Sequence, residues 1–274
     1  MRDTIKRSSV CLWIGLLAMP GAAPAAEPRP EALRGFEQYV QRTEERIRTE
    51  VSGGTFLWVN ALPAAQREKA MNQLRRGEAA IERMQSAPAA TPGAMIHHWM
   101  GTILIPGATL ERVLSTIQDY DRHREYYAPE VARSRTVRRS GDDFTIYLRL
   151  QRTKVITVAF DTEHQVRYHR PDALRAYSES RGTRIAELQD AGEAGERVLS
   201  PAEERGFLWR LNSYWRFQQA AEGVYVQCEA VSLTRNIPTG LGWLVGPFVE
   251  SVPRESLEFT LRSTQAAISG PPEK

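Results

Sequence analysis

Five histidines, a cysteine late in the chain and a few charges set in apolar alternation are the residues of this 274-residue sequence whose types could do chemistry. His97 and His98 are neighbours, so on a strand they point to opposite faces and cannot share one metal ion. His123, His164 and His169 show no compact ligand spacing, and Cys228 stands in no recognisable nucleophile motif. A Gly-x-Ser-x-Gly elbow is absent from the sequence, which leaves hydrolase chemistry without support. Gly240, Gly242 and Gly246 are spaced one residue too widely for a dinucleotide loop and follow an antiparallel-type strand, so they read as a turn. The sharpest candidate is Arg184, in the alternating row Ala176, Ser178, Ser180, Gly182, Arg184, Ala186. If that small-residue row faces inward, an unpaired guanidinium is costly there. It then meets a ligand carboxylate or phosphate in a bidentate contact, meets a protein carboxylate, or sits at a cavity mouth. The other inward rows offer little that titrates, and no catalytic residue, metal or cofactor is expected.

The elements that must position such residues are mostly strands. Alternation and turn residues predict strands over 95–105, 131–139, 144–151, 154–169, 174–189, 206–217 and 224–234. A helix with Leu110, Val113, Leu114 and Ile117 on one side follows the first of these, and 119–130 is irregular or shortly helical. Pro253 marks the start of a closing helix over 254–268, with Leu257 and Leu261 one turn apart on it. Short turns between successive strands require antiparallel neighbours. A bent antiparallel sheet around the closing helix is the expected α+β architecture, and the space between them is the candidate site.

Inward rows can be read from the alternation. Phe207, Trp209, Leu211, Ser213, Trp215 and Phe217 form one, Phe144, Ile146, Leu148 and Leu150 another, and Ile156, Val158 and Phe160 a third. Pairing Phe217 with Val224 sets Trp215 against Val226, Ser213 against Cys228 and Leu211 against Ala230, while Asn212 faces Glu229 on the outside. Glu229 then reads as a surface pair with Asn212 and Arg210. Trp243, Leu244, Val245, Pro247 and Phe248 form an apolar cluster suited to core, to a moving lid or to an edge that touches a membrane. The expected ligand-contacting set is Ile146, Leu148, Phe160, Arg184, Trp209, Leu211, Trp215, Trp243, Leu257 and Leu261.

Before these strands, residues 31–51 predict an amphipathic helix carrying Leu33, Phe36, Val40, Thr43 and Ile47. A short strand is expected over 55–60, a helix over 63–74 and a strand over 78–84, with a linker at 85–93. The chain divides on this basis into 1–25, a 26–90 extension, a 94–268 domain and a 269–274 tail. Arg2, Lys6 and Arg7, the apolar run 10–19 and Ala23-Pro24-Ala25 have the order of a signal peptide cut near Ala25. The run is too short to span a bilayer. Export is expected, to the periplasm if the source is Gram-negative. The net charge of +3 includes Arg2, Asp3, Lys6 and Arg7, which carry +2 between them and leave about +1 on the mature chain. That balance gives nucleic acid little to bind. The arginines at 133, 135, 138 and 139 read as a solvated face. With Cys228 alone after cleavage, no internal disulfide forms, and stability rests on a core that 42% hydrophobic residues can supply.

Ile105-Pro106-Gly107-Ala108 before the first short helix, Ile117-Gln118-Asp119-Tyr120-Asp121 and Tyr127-Ala128-Pro129-Glu130-Val131 after it, and Ile237-Pro238 with Gly242-Trp243 near the end resemble the START-like superfamily, also called SRPBCC. The resemblance spans about 94–268 and excludes the residues before 85. It implies a helix-grip fold and a hydrophobic small molecule or lipid in the cavity, with transient membrane contact as a route of exchange. It also admits a polyketide cyclase or dehydratase, because the superfamily mixes carriers with enzymes. A third expectation is a non-catalytic envelope partner docking through residues 31–84.

Overall fold

The computed structural model describes residues 27–84, 91–153, 157–236 and 242–270, with the backbone alone for 242–250. The chain opens with α1 (Pro30–Ser52), a 3-10 turn (Trp58–Ala61), α2 (Ala64–Arg75) and β1 (Ala80–Arg83). Next come β2 (Ala94–Pro106), α3 (Leu110–Gln118), a 3-10 turn (Tyr120–Arg122), α4 (His123–Tyr126), β3 (Val131–Ser140), β4 (Asp143–Thr153) and β5 (Thr157–His169). The order ends with β6 (Arg175–Gln189), the two-residue β7 (Arg197–Val198), β8 (Arg210–Ala220), β9 (Gly223–Arg235) and α5 (Gly242–Ser269). The strands form one antiparallel sheet in the order β1-β2-β9-β8-β6-β5-β4-β3, with β7 attached to β6. The β2–β9 closure joins the strands farthest apart in sequence among the described pairs, and α5 packs against that seam through β2 and β9. This is the helix-grip arrangement. Among the described residues no helix is long and apolar enough to cross a membrane.

Side-chain parity sorts the sheet into an inner and an outer face. On the inner face Ile103, Ile105, Phe144, Ile146, Val166, Phe217, Val224 and Val226 pack with Leu257, Leu261 and Ile268 of α5 and the apolar side of α3. The helix comes close to the sheet at Gly101, where an added Cβ would lie 2.6 Å from Leu261 Cδ1. On β2, β9 and β8 the outer face is covered as well. Phe36, Tyr39, Val40 and Ile47 of α1 cover Tyr214, Val231 and Leu233, while Phe56, Val59 and Leu74 cover Leu104 and Tyr225. The predicted strand at 55–60 is instead the 3-10 turn. Its Trp58 N–H donates to Gln227 Oε1 at 2.8 Å and its indole to Thr102 Oγ1 at 2.8 Å, so outer-face side chains replace a strand ladder.

The β8–β9 register also differs from expectation. Both strands run to a two-residue turn between Ala220 and Gly223, which pairs Phe217 with Val226, Trp215 with Cys228, Ser213 with Ala230 and Leu211 with Ser232. A shift of two keeps every side chain on its face but changes its neighbour. Glu229 therefore faces Tyr214 rather than Asn212, and α1 rather than water. It is fully buried. His98 Nε2 donates to Glu229 Oε1 at 2.6 Å, Arg46 donates to the same oxygen, and Arg216 Nη2 lies 3.8 Å from Oε2. Burial alone would push this carboxyl upward, but His98, Arg46 and Arg216 outweigh it and hold Glu229 below the ordinary carboxylate value. Arg46 and Arg216 both also engage Glu50 of α1.

One helical feature departs from the sequence pattern. Helix α5 starts at Gly242, not at Arg254, so Pro253 lies inside it. A proline there removes one backbone donor. The apolar stripe of Leu257, Leu261, Thr264 and Ile268 continues across the sheet beyond it. The segment before 85 contributes a strand to the sheet, because β1 pairs with β2 from Ala80–Thr102 to Arg83–Trp99.

Candidate ligand site between the sheet and the C-terminal helix

The inner face has two ends. One is closed by α3, α4 and the tyrosines. Tyr120 Oη lies 2.7 Å from Tyr168 Oη, and Tyr127 Oη 3.0 Å from Thr264 Oγ1. Burial pushes the Tyr127 phenol up to about 12, and those of Tyr120 and Tyr168 also upward, so all three are neutral hydrogen-bonding groups. At the other end the same face is only half-buried. Trp99 of β2, Leu148 and Leu150 of β4, Val158 of β5, and Leu211, Ser213 and Trp215 of β8 keep accessible surface although their strands lie in the middle of the sheet or pair on both sides. Among the described residues these side chains are left partly uncovered on a concave interior, the kind of surface a ligand pocket presents.

The structure places seven of the expected contact residues on this face. Ile146, Leu257 and Leu261 belong to its packed cluster, Leu148 and Trp215 lean against that cluster, and Phe160 and Leu211 lie toward the half-buried end. Two belong elsewhere. Trp209 precedes β8 and packs with Phe36 and Leu233 under α1, and Phe207 is 41% exposed. Arg184 lies on the outer face, its side chain 52% exposed and its Nη1 3.8 Å from Glu163 Oε1. The cause is a bulge: Glu163 pairs with Arg184, but His164 pairs with Gly182, so Thr183 is extra and the parity of β6 inverts beyond it. The inward residues there are Ile185 and Glu187, paired with Thr162 and Phe160. Gly242 and Gly246, read as a turn, lie instead within α5; Gly240, Ile156, the side chain of Trp243 and the signal-peptide segment lie outside the described residues.

The inner face carries more titratable chemistry than the alternation had suggested. Glu187 is buried and holds the 199–206 segment, accepting from Arg205 Nε at 2.6 Å and from the Arg205 N–H at 2.8 Å. His164 is 4% exposed, and its Nε2 lies 3.1 Å from Thr162 Oγ1. Burial pushes the ring down to about 4, so it is neutral near pH 7. The row Val158, Phe160, extended by two and two again, reaches Thr162, His164, Val166 and Tyr168, so the signal for these residues was present in the sequence. His97, on the same face, bonds Thr234 Oγ1 at 2.9 Å, whereas His98 bonds Glu229 on the other, as their adjacency required. Burial raises the Cys228 thiol far above its ordinary value, which keeps it protonated. Among the described residues no three His, Cys, Asp or Glu side chains gather as a metal site.

No protein-family model matches the sequence, and no curated protein does. Solved structures are similar in fold. A STAR-related lipid transfer protein from Xanthomonas axonopodis is 19% identical over 68% of this chain and 98% of that chain, with a TM-score of 0.41. Human STARD10 is 10% identical over 75% and 81%, with a TM-score of 0.42. The Zhui aromatase/cyclase from a Streptomyces species is 12% identical over 64% and 94%, with a TM-score of 0.40. At such values the likeness assigns no activity, and the helix-grip fold stands on the strand order and on α5.

Proposed function

We propose that the chain binds a hydrophobic small molecule or lipid between the inner face of the sheet and α5, and serves as its carrier. The observation that carries this reading is the half-buried apolar lining at one end of the grip, with Trp99, Leu148, Leu211 and Trp215 on strands whose other end is packed core. Each apolar surface removed from water by a ligand would contribute about 25 cal/mol per Å². Export with cleavage near Ala25 belongs to the same reading, as does exchange of cargo at a membrane. N-terminal sequencing of the mature protein from the cell envelope checks the first.

Native mass spectrometry with solvent extraction, on protein purified without detergent, tests the carrier reading. A stoichiometric lipid or quinone is the expected result, and an empty protein that also takes up no added amphiphile would sink it. Replacing Trp215 with alanine should weaken uptake about tenfold or more while the fold is kept. Unchanged affinity in that variant would remove Trp215 from the wall.

One observation favours a second reading, a cyclase- or dehydratase-type enzyme. Such chemistry needs a proton acceptor inside the space, and the neutral His164 ring supplies one. The docking reading through residues 31–84 has less support, because α1 spends Phe36, Val40 and Ile47 on the sheet.

A further inference from the structure

The hydrogen bonds around His164 determine which of its ring nitrogens is available. Thr162 Oγ1 donates its single proton to the Leu148 carbonyl at 2.9 Å. Toward His164 it can then only accept, so Nε2 carries the ring proton and Nδ1 carries the lone pair. No described residue donates to Nδ1. Nδ1 is not among the enclosed side-chain atoms left without a partner, so it borders open space although the residue as a whole is 4% exposed. The cross-strand neighbours explain how it is left open. Ile146 on β4 is apolar, and on β6 the partner is Gly182. A Cβ at Gly182 would sit 3.7 Å from Nδ1 and 2.8 Å from the Leu211 carbonyl oxygen, so glycine permits the close β6–β8 approach and leaves the ring uncovered on that side. Around the ring the next inner-face pairs are Leu148–Thr162 on one side and Val166–Ser180 on the other, with Ser213 beside Ser180.

Resting on the proposed hydrophobic-ligand reading, we propose that His164 is a specificity-determining residue that accepts a hydrogen bond, through Nδ1, from a hydroxyl group on an otherwise apolar, uncharged ligand. The class is an alcohol or phenol. An ionised carboxylate brings acceptors only and would face the Nδ1 lone pair, so a fatty acid anion is disfavoured at this position. The ring stays neutral across the ordinary pH range because burial holds its value near 4, which keeps the lone pair in place.

The test is a calorimetric titration of the mature protein with two probes, dodecanol and dodecyl methyl ether, which share the chain and the oxygen but differ in the donor. The expected result is an affinity about tenfold higher for the alcohol. In His164→Leu the two affinities should converge. In His164→Gln the carboxamide oxygen can accept, so part of the preference should return. Equal affinities in the unaltered protein would overturn the inference and leave the cavity reading intact, as would a preference that survives in His164→Leu. Binding of neither probe would count against both. Should His164→Leu fail to fold, the isosteric His164→Phe takes its place, and an alcohol preference retained there would overturn the inference.

Discussion

Glu229 shows how a residue changes meaning once its surroundings are known. By alternation it belongs to the outer face of β9, and outer faces of a single-layer grip meet water, so a surface pair was the natural reading. Parity was right and the environment was wrong, because α1 covers that face and surrounds the carboxylate with His98, Arg46 and Arg216. Glu229→Ala should therefore lower unfolding stability by about 3–5 kcal/mol, since it strands buried cations, and urea denaturation would measure it. A loss within the range of ordinary surface substitutions would mean that the network is solvated. Arg184 errs the other way. Its inward reading assumed an unbroken period of two, and one extra residue at Thr183 turns it outward. No local composition marks that bulge. Ile146, Leu148, Phe160 and Trp215 were legible because unbroken alternation is the direct imprint of a sheet with one apolar side.

Among the elements, α1 was plain in the sequence and its role was not. Leu33, Phe36, Val40, Thr43 and Ile47 recur at helical spacing, which predicts one buried side without naming what buries it. The structure supplies the outer face of β8, β9 and β2. A chain beginning at residue 91 would expose Tyr214, Val231 and Leu233 and leave Glu229 and Arg216 without Arg46 and Glu50. It should be insoluble or unfolded, judged by circular dichroism and size exclusion. A soluble, cooperatively folding truncation would show that the extension is dispensable. On the opposite face the seat of α5 depends on Gly101. Gly101→Val would press into Leu261, Leu257 and Ile81, and overpacking of this kind costs about 1–3 kcal/mol, read as a lowered midpoint in denaturant.

For the molecule as a whole, two buried neutral histidines tie stability to pH. Burial pushes His123 and His164 down to about 4, while in the unfolded chain such rings titrate near 6.5. Between those values the unfolded chain binds more protons, so stability falls as the pH drops from about 6.5 toward 4, and the effect vanishes above that window. At about pH 5 each ring should cost about 2 kcal/mol. Glu229, held low in the folded state, adds a loss as the pH falls further, through its depressed value. Thermal unfolding across this range should show the decline, and His123→Phe should flatten it; an unchanged slope would mean that His123 is hydrated. The sequence by itself determined the strand and helix order from residue 94 onward, the inward rows of β4 and of β8 from Leu211, and the adjacency that separates His97 from His98, because periodicity and turn residues are local. Only the tertiary structure decided the register of β8 on β9, the bulge at Thr183, the burial of Glu229 beneath α1 and the open Nδ1 of His164. Each of these depends on which distant segment covers a face or shares a hydrogen bond, and no local period records that.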